Sequence, residues 1–155
     1  METLQFRELL TVAEVSLSYR PVINAGQRPI IKCSAEAYEI LVEVWNMDKI
    51  SLCEQFWMIM LNNRGRVLGV VELSSGGFTG TVADVRMIYG VALKACACSI
   101  IVAHNHPSGD LTPSSQDIKM TNQLVAAGKL LDLPLNDHLI LRADGFRSLA
   151  DDGYI

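Results

Sequence analysis

The sequence predicts one α/β domain, a mixed β-sheet flanked by α-helices, and three observations carry that prediction. Short apolar segments of strand length, such as "EQFWMIML" and "CSIIVA", alternate with longer stretches that open on helix-start signals. The chain has 155 residues, enough for one ordinary core, and half of them are hydrophobic while only 19% are charged. No repeat, low-complexity tract or interior linker divides it, so residues 1–155 read as a single unit with a core from about residue 30 onward and residues 1–29 as an N-terminal extension.

The elements follow in order. Residues 1–33 mix alternating runs ("TVAEVSLSY") with a Pro/Gly-containing loop and a strand at "PIIKC". Ser34 reads as the N-cap of a helix reaching about Met47, with Glu36 in the first turn where the helix dipole favours an acid. "EQFWMIML", the turn "NNRG" and "RVLGVVEL" form a hairpin, followed by the flexible loop "SSGGFTG". Thr81 with Asp84 three residues on resembles a capping box and opens a helix across "VADVRMIYGVALKA". "CSIIVA" has the wholly apolar pattern of a strand buried on both faces. Thr112 followed by Pro113 marks a further helix, a hydroxyl cap and then proline at the first helical position, running to Gly128 or Leu131. "DHLILRAD" is a last core strand, and "DGFRSLADDGYI" a turn plus a short helical tail.

Composition narrows function. A net charge of −4 leaves no basic footprint for nucleic-acid phosphates. The longest apolar run is far too short to span a bilayer, and the start, "METLQFRELL", lacks a basic head and cleavage site, so a cytoplasmic protein without membrane association is expected. Cys33, Cys53, Cys96 and Cys98 contain no C-x-x-C pair, and "KACACS" reads as helix, where residues two apart do not share a face. The thiols are expected to be small core or boundary residues.

The chemistry concentrates in "HNHPSGDLTPSSQD", residues 104–117. His104 and His106 fall just past the end of the buried strand, where extended backbone points residues i and i+2 to one side, and Pro107 favours that geometry at His106. Ser114 and Asp117 are three apart in the first turns of the next helix and share a face. Two imidazoles and a carboxylate then converge, and three protein ligands with a fourth position for water is the arrangement of a catalytic zinc site. Taken singly, each residue has an ordinary role, as a surface histidine or a helix cap; the joint pattern H-x-H, seven residues, S, x-x, D does not.

This stretch resembles the JAMM motif of the JAB/MPN metallo-isopeptidases. In its "HNHPSG" form, followed by "DIKMTNQLVAAGKLLDLPLNDHLIL", it is similar to the bacterial RadC-like branch. The resemblance implies a cytidine-deaminase-like mixed sheet flanked by helices. It implies Zn²⁺ bound by His104, His106 and Asp117, with Ser114 as the oxyanion stabiliser. It also implies a glutamate at the head of an upstream strand as general base: Glu54, at the start of "EQFWMIML", holds that position, and Glu72 on the returning strand is its rival. Amide or isopeptide hydrolysis of a peptide or protein substrate suits this set, because zinc lowers the pKa of bound water and a carboxylate can carry its proton to the leaving amine. His138 is a possible partner to the ligands, equally readable as a strand histidine with a local bond, and Asn105 a residue that shapes the loop.

Other classes compete. A nuclease reading of "HNH" fails because that motif's residues are not a tripeptide and the chain is acidic. A zinc deaminase would carry H-x-E and P-C-x-x-C, both absent. A non-catalytic module of the same fold, or a DNA-repair-associated one as the RadC label implies, is the alternative. The retained ligand set counts against the first. A stretch of some 30 residues ahead of the core, short for a helix-hairpin-helix segment, counts against the second. Neither the particular substrate nor the oligomeric state follows from the sequence.

Overall fold

A computed structural model describes residues 23–76 and 83–155. Its centre is a five-stranded sheet in the order β2-β1-β3-β4-β5. The strands are β1 (Gln55–Leu61), β2 (Val67–Ser75), β3 (Ser99–Asn105), β4 (Leu135–Arg142) and β5 (Gly145–Ser148). β3 and β4 are parallel and every other neighbouring pair is antiparallel, so the sheet is mixed, as expected. The helices are α1 (Ser34–Val44), α2 (Val85–Lys94) and α3 (Ser115–Leu131).

Strand alternation sorts the core into two layers. Ile59, Leu61, Ile101 and Ala103 pack with Ala37 and Leu41 of α1, while Met58, Met60, Ile100 and Val102 pack with Ile88 of α2 and Leu124 of α3. β3 lies between β1 and β4 and all seven of its residues are buried, which is the environment its apolar run predicts.

Several boundaries differ from expectation, each for a local reason. The N-cap of α1 is Cys33, in extended backbone, and Ser34 lies inside the helix with its hydroxyl donating to Asp151 at 2.5 Å. α1 stops at Val44 because Trp45 turns extended and Asn46 caps a separate 3-10 turn, Met47–Lys49. "PIIKC" forms no strand; Ile30 makes an isolated bridge to Arg66. Asp84 caps α2 by accepting from the Arg86 N–H at 2.8 Å, while Thr81 lies outside the described residues, as does most of the "SSGGFTG" loop and the run "TVAEVSLSY".

α2 ends at Lys94, and Cys96 turns left-handed at φ 55°, so "KACACS" is not helical. The chain reverses there to bring the Cys98 N–H onto the Leu61 carbonyl at 2.8 Å and start β3 beside β1. That exposed turn, together with the exposed end of α1, explains why Cys33, Cys96 and Cys98 are exposed rather than core; Cys53 is half-buried and all four thiols are free. The segment after β4 is a fifth strand and not a helical tail, because Arg142 to Gly145 closes a tight hairpin on β4. Among the described residues no helix is long and apolar enough to cross a membrane.

The turn from α3 to β4 aims β4 at the site and leaves no room at Gly128. A Cβ there would sit 2.6 Å from both the Leu133 carbonyl oxygen and the Tyr89 hydroxyl. Gly128→Ala is therefore expected to destabilise the fold by about 1–3 kcal/mol despite alanine's better helix propensity, read as a lower denaturant midpoint at unchanged slope.

Candidate metal centre

His104 and Asn105 are the last residues of β3 rather than lying beyond it, and His106 follows directly. Because the backbone stays extended, the two histidines meet on the α2/α3 side, ring centroids 4.8 Å apart, and the His106 N–H donates to the Leu141 carbonyl at 3.1 Å. Asn105 points to the opposite face.

The helix opposite begins with a reciprocal cap. Ser114, not Thr112, is its N-cap: the Asp117 N–H donates to the Ser114 hydroxyl at 3.1 Å, and the Ser114 N–H donates to Asp117 Oδ2 at 2.7 Å. Two-way satisfaction outcompetes a lone threonine ahead of proline. It also turns the carboxylate towards the histidines: His104 Nε2 lies 3.2 Å from Oδ1, the oxygen outside the cap, and His106 Nε2 lies 3.5 Å from the capping oxygen Oδ2. The ligand-type atoms of His104, His106 and Asp117 all fall within 4.8 Å of one another, a group able to hold a metal ion.

The outer hydrogen bonds fix which nitrogens carry protons. The Thr121 hydroxyl donates to the Asp117 carbonyl at 2.8 Å, so it must accept from His138 Nδ1–H, 2.7 Å away. That leaves His138 Nε2 as an acceptor, and it takes the proton of His104 Nδ1 at 2.8 Å. The lone pair of neutral His104 is therefore on Nε2. His106 Nδ1 donates to the Asp110 carbonyl, which puts its lone pair on Nε2 as well. These two Nε2 atoms stand 3.0 Å apart beside a carboxylate. Three acceptors converging with no donor among them require a cation between them, a proton or a metal.

Electrostatics agree. Burial pushes the Asp117 carboxyl up, but a cationic proton shared with the Nε2 atoms of His104 and His106 overcomes it and holds the group far below the usual carboxylate range. When a proton sits on His106 Nε2 its hydrogen bond to Asp117 favours that charged form and raises the His106 pKa, opposed by burial and aided by the Asp110 carbonyl and the charge of Glu54. Burial, then the neighbouring His104, pushes fully buried His138 well below the ordinary histidine value, so it stays neutral in its assigned tautomer. His138, which the sequence left open between a partner of the ligands and a strand histidine with a local bond, is thus the direct partner of His104; its signal was "NDHLIL" alone, which says nothing of Thr121.

The two glutamates separate by face. Glu72 pairs in register with Trp57, whose ring packs on Trp45 at 5.5 Å on the α1 side, and its carboxylate accepts from Gln55 Nε2 at 2.7 Å. His104 pairs with Phe56, whose side chain lies in the other layer. Glu72 therefore points away from the histidines. Glu54, one residue ahead of β1 and half-buried, is the acid whose charge acts on His106.

Comparison with known proteins gives a consistent family. The profile described as RadC-like JAB domain matches residues 31–154. A UPF0758 protein of Porphyromonas gingivalis is 46% identical over 103 residues, 66% of this chain and 45% of its own length. One of Flavobacterium johnsoniae is 41% identical over 100 residues, 64% of this chain and 44% of its own. A third, of Desulforamulus reducens, is 35% identical over 132 residues, 84% of this chain and 56% of its own. The chain spans about half the length of the curated relatives it matches.

Proposed function

The chain belongs to the RadC-like JAB domain family, and from that premise we propose that it is a zinc-dependent hydrolase of JAMM type that cleaves a peptide or isopeptide bond. The observation that carries this reading is the convergence of three lone-pair donors whose protons are committed elsewhere. Tetrahedral zinc with ligands at about 2.0–2.1 Å separates those ligands by roughly 3.3 Å. His104 Nε2 stands 3.0 Å from His106 Nε2 and 3.2 Å from Asp117 Oδ1, close to that value, and with one ligand atom per residue the three lie within 4.8 Å of one another. His104, His106 and Asp117 would hold the ion and leave one position open.

Zinc there would bring the pKa of its water near 7 and polarise the substrate carbonyl. Glu54 takes the proton of the attacking water and returns it to the leaving amine. Ser114 uses its oxygen to accept from Asp117 N–H, so its own proton stays free to donate where the oxyanion develops, and its position at the start of α3 adds positive potential. The substrate is a peptide or protein segment presented to the face that carries His106 and Ser114.

The test is an unbiased peptide-library digest by zinc-loaded protein, run beside single-stranded and duplex DNA. Amide cleavage that stops on chelation and returns with zinc supports the reading. Metal-dependent DNA cleavage without amide cleavage would sink it, and inactivity on both with an empty metal site would favour a non-catalytic module of the same fold. Ser114→Ala is expected to lower turnover about 10²-fold or more and also to weaken the cap of α3, a cost visible as a small fall in thermal midpoint.

Proton competition sets the pH dependence of zinc uptake. His106 must lose its proton to bind, and its folded-state pKa is raised, chiefly by Asp117. Affinity is expected to be level above that pKa and to fall about tenfold per pH unit below it, with onset at higher pH than a free imidazole would give. Calorimetric titrations in buffers of different ionisation enthalpy count the released proton; a flat profile down to pH 5 would remove His106 from the ligand set.

A further inference from the structure

Between the two histidines, Asn105 is fully buried and faces away from the metal centre, and its side-chain amide bonds to backbone groups of residues 50, 53 and 55, on both sides of Glu54. Asn105 Oδ1 accepts from the Gln55 N–H at 2.7 Å. Asn105 Nδ2 donates to the Cys53 carbonyl at 2.9 Å and to the Ile50 carbonyl at 2.6 Å. The amide's orientation is not ambiguous, because one partner is a donor and the other two are acceptors. Cys53 and Gln55 are the immediate neighbours of Glu54. The Glu54 carbonyl is itself held by the Gly76 N–H at 2.8 Å.

We propose that Asn105 is a positioning residue for Glu54, a bracket that ties the loop carrying the proton acceptor to the strand carrying the ligands; it rests on the reading of Glu54 as that acceptor. The geometry accounts for the polarity of a residue that is 0% exposed. A buried side-chain amide is costly unless satisfied, and here it is satisfied only by backbone groups of residues 50–55. Loop 50–54 is turn and bend rather than helix or strand, so the bracket acts together with the Gly76 N–H in setting where the Glu54 backbone enters β1. One alternating strand thereby does two tasks: His104 and His106 on one face offer nitrogen lone pairs, and Asn105 on the other fixes the carboxylate's backbone at a set height along the same strand. Placement matters because a displacement of about 1 Å can cost some 10²-fold in rate.

The experiment uses Asn105→Ala and Asn105→Ser, both neutral so that neither adds a charge, with Glu54→Gln and the double variant Asn105→Ala/Glu54→Gln. Cobalt(II) serves as the metal probe, since its visible spectrum reports on its coordination shell whether or not any amide is cleaved. The Asn105 variants are expected to take up cobalt(II) as wild type does and to shift the pH midpoint of the spectrum in the direction of Glu54→Gln. The double variant should match Glu54→Gln alone, because a residue acting through Glu54 has nothing left to act on. On a peptide from the library, kcat should fall about 10–100-fold at unchanged KM. Additive shifts in the double variant, a wild-type spectrum in the single ones, or loss of cobalt(II) binding would each overturn the proposal. If wild type cleaves no amide, the functional reading fails while the spectra still decide on Asn105. Should the variants not fold, amide exchange in wild type decides instead: the Gln55 N–H and both Asn105 side-chain protons must exchange as slowly as the centre of β3, and rapid exchange would dismiss the bracket.

Discussion

Glu54→Gln is expected to lower turnover by about 10²–10⁴-fold while the protein stays folded and keeps its zinc. Glutamine preserves the size and one acceptor oxygen of the side chain but cannot take up a proton at neutral pH, so the change removes the transfer step and little else. The loss should appear in kcat, since no contact with the bound substrate is removed. A second signature comes from the metal-free protein. The charge of Glu54 helps His106 hold its proton. Removing that charge should therefore lower the His106 titration midpoint, with a slightly easier zinc uptake at acid pH as the corollary. Turnover equal to wild type would exclude Glu54 as the base. Glu72→Gln is the control expected to retain activity, because its carboxylate is occupied by Gln55 on the far face of the sheet.

What could be read in the sequence was local. Alternation along a strand and the three-residue spacing of a helix face each span two or three residues, so "HNH" and "SSQD" showed which side chains could converge before any fold was known. The reciprocal cap of Ser114 and Asp117 was not read, because Thr112 was expected in that place. The apolar "CSIIVA" likewise announced a central strand, because burial on both faces leaves no polar position. What escaped depended on partners far along the chain. His138 meets His104 across 34 residues and Thr121 across 17. Asn105 reaches Cys53 and Gln55 across 52 and 50. No pattern of spacing encodes such contacts. The four residues of β5 were missed because a strand that short has no measurable alternation. Ser34 and Thr112 are not the caps for different reasons: the Ser34 hydroxyl goes to Asp151 and α1 starts after Cys33 without a side-chain cap, whereas near α3 three hydroxyls compete and Ser114 wins by its reciprocal bond to Asp117.

Removing a ligand and removing the partner that orients it should have graded consequences for the metal. In His104→Ala the site loses the imidazole that lies 3.0 Å from His106 Nε2 and 3.2 Å from Asp117, and zinc content is expected to drop from near one per chain to a small fraction. In His138→Phe the three ligands remain, but His104 Nδ1–H loses its acceptor and Thr121 loses its donor. His104 is then free to place its proton on Nε2, the atom the metal needs, and affinity is expected to fall about 10–100-fold. Glu54→Gln should leave affinity near wild type at neutral pH. The order His104→Ala, then His138→Phe, then Glu54→Gln is therefore the expected ranking of zinc loss, measured by elemental analysis and by competition with a chromophoric chelator. A merely structural His138 would alter the thermal midpoint of both metal-free and zinc-loaded protein by the same amount. A partner of the ligand must cost the zinc-loaded form more, because the tautomer it enforces matters only when the lone pair of Nε2 is in use. Equal losses of stability with unchanged zinc affinity would separate His138 from the site and leave His104, His106 and Asp117 to stand without it.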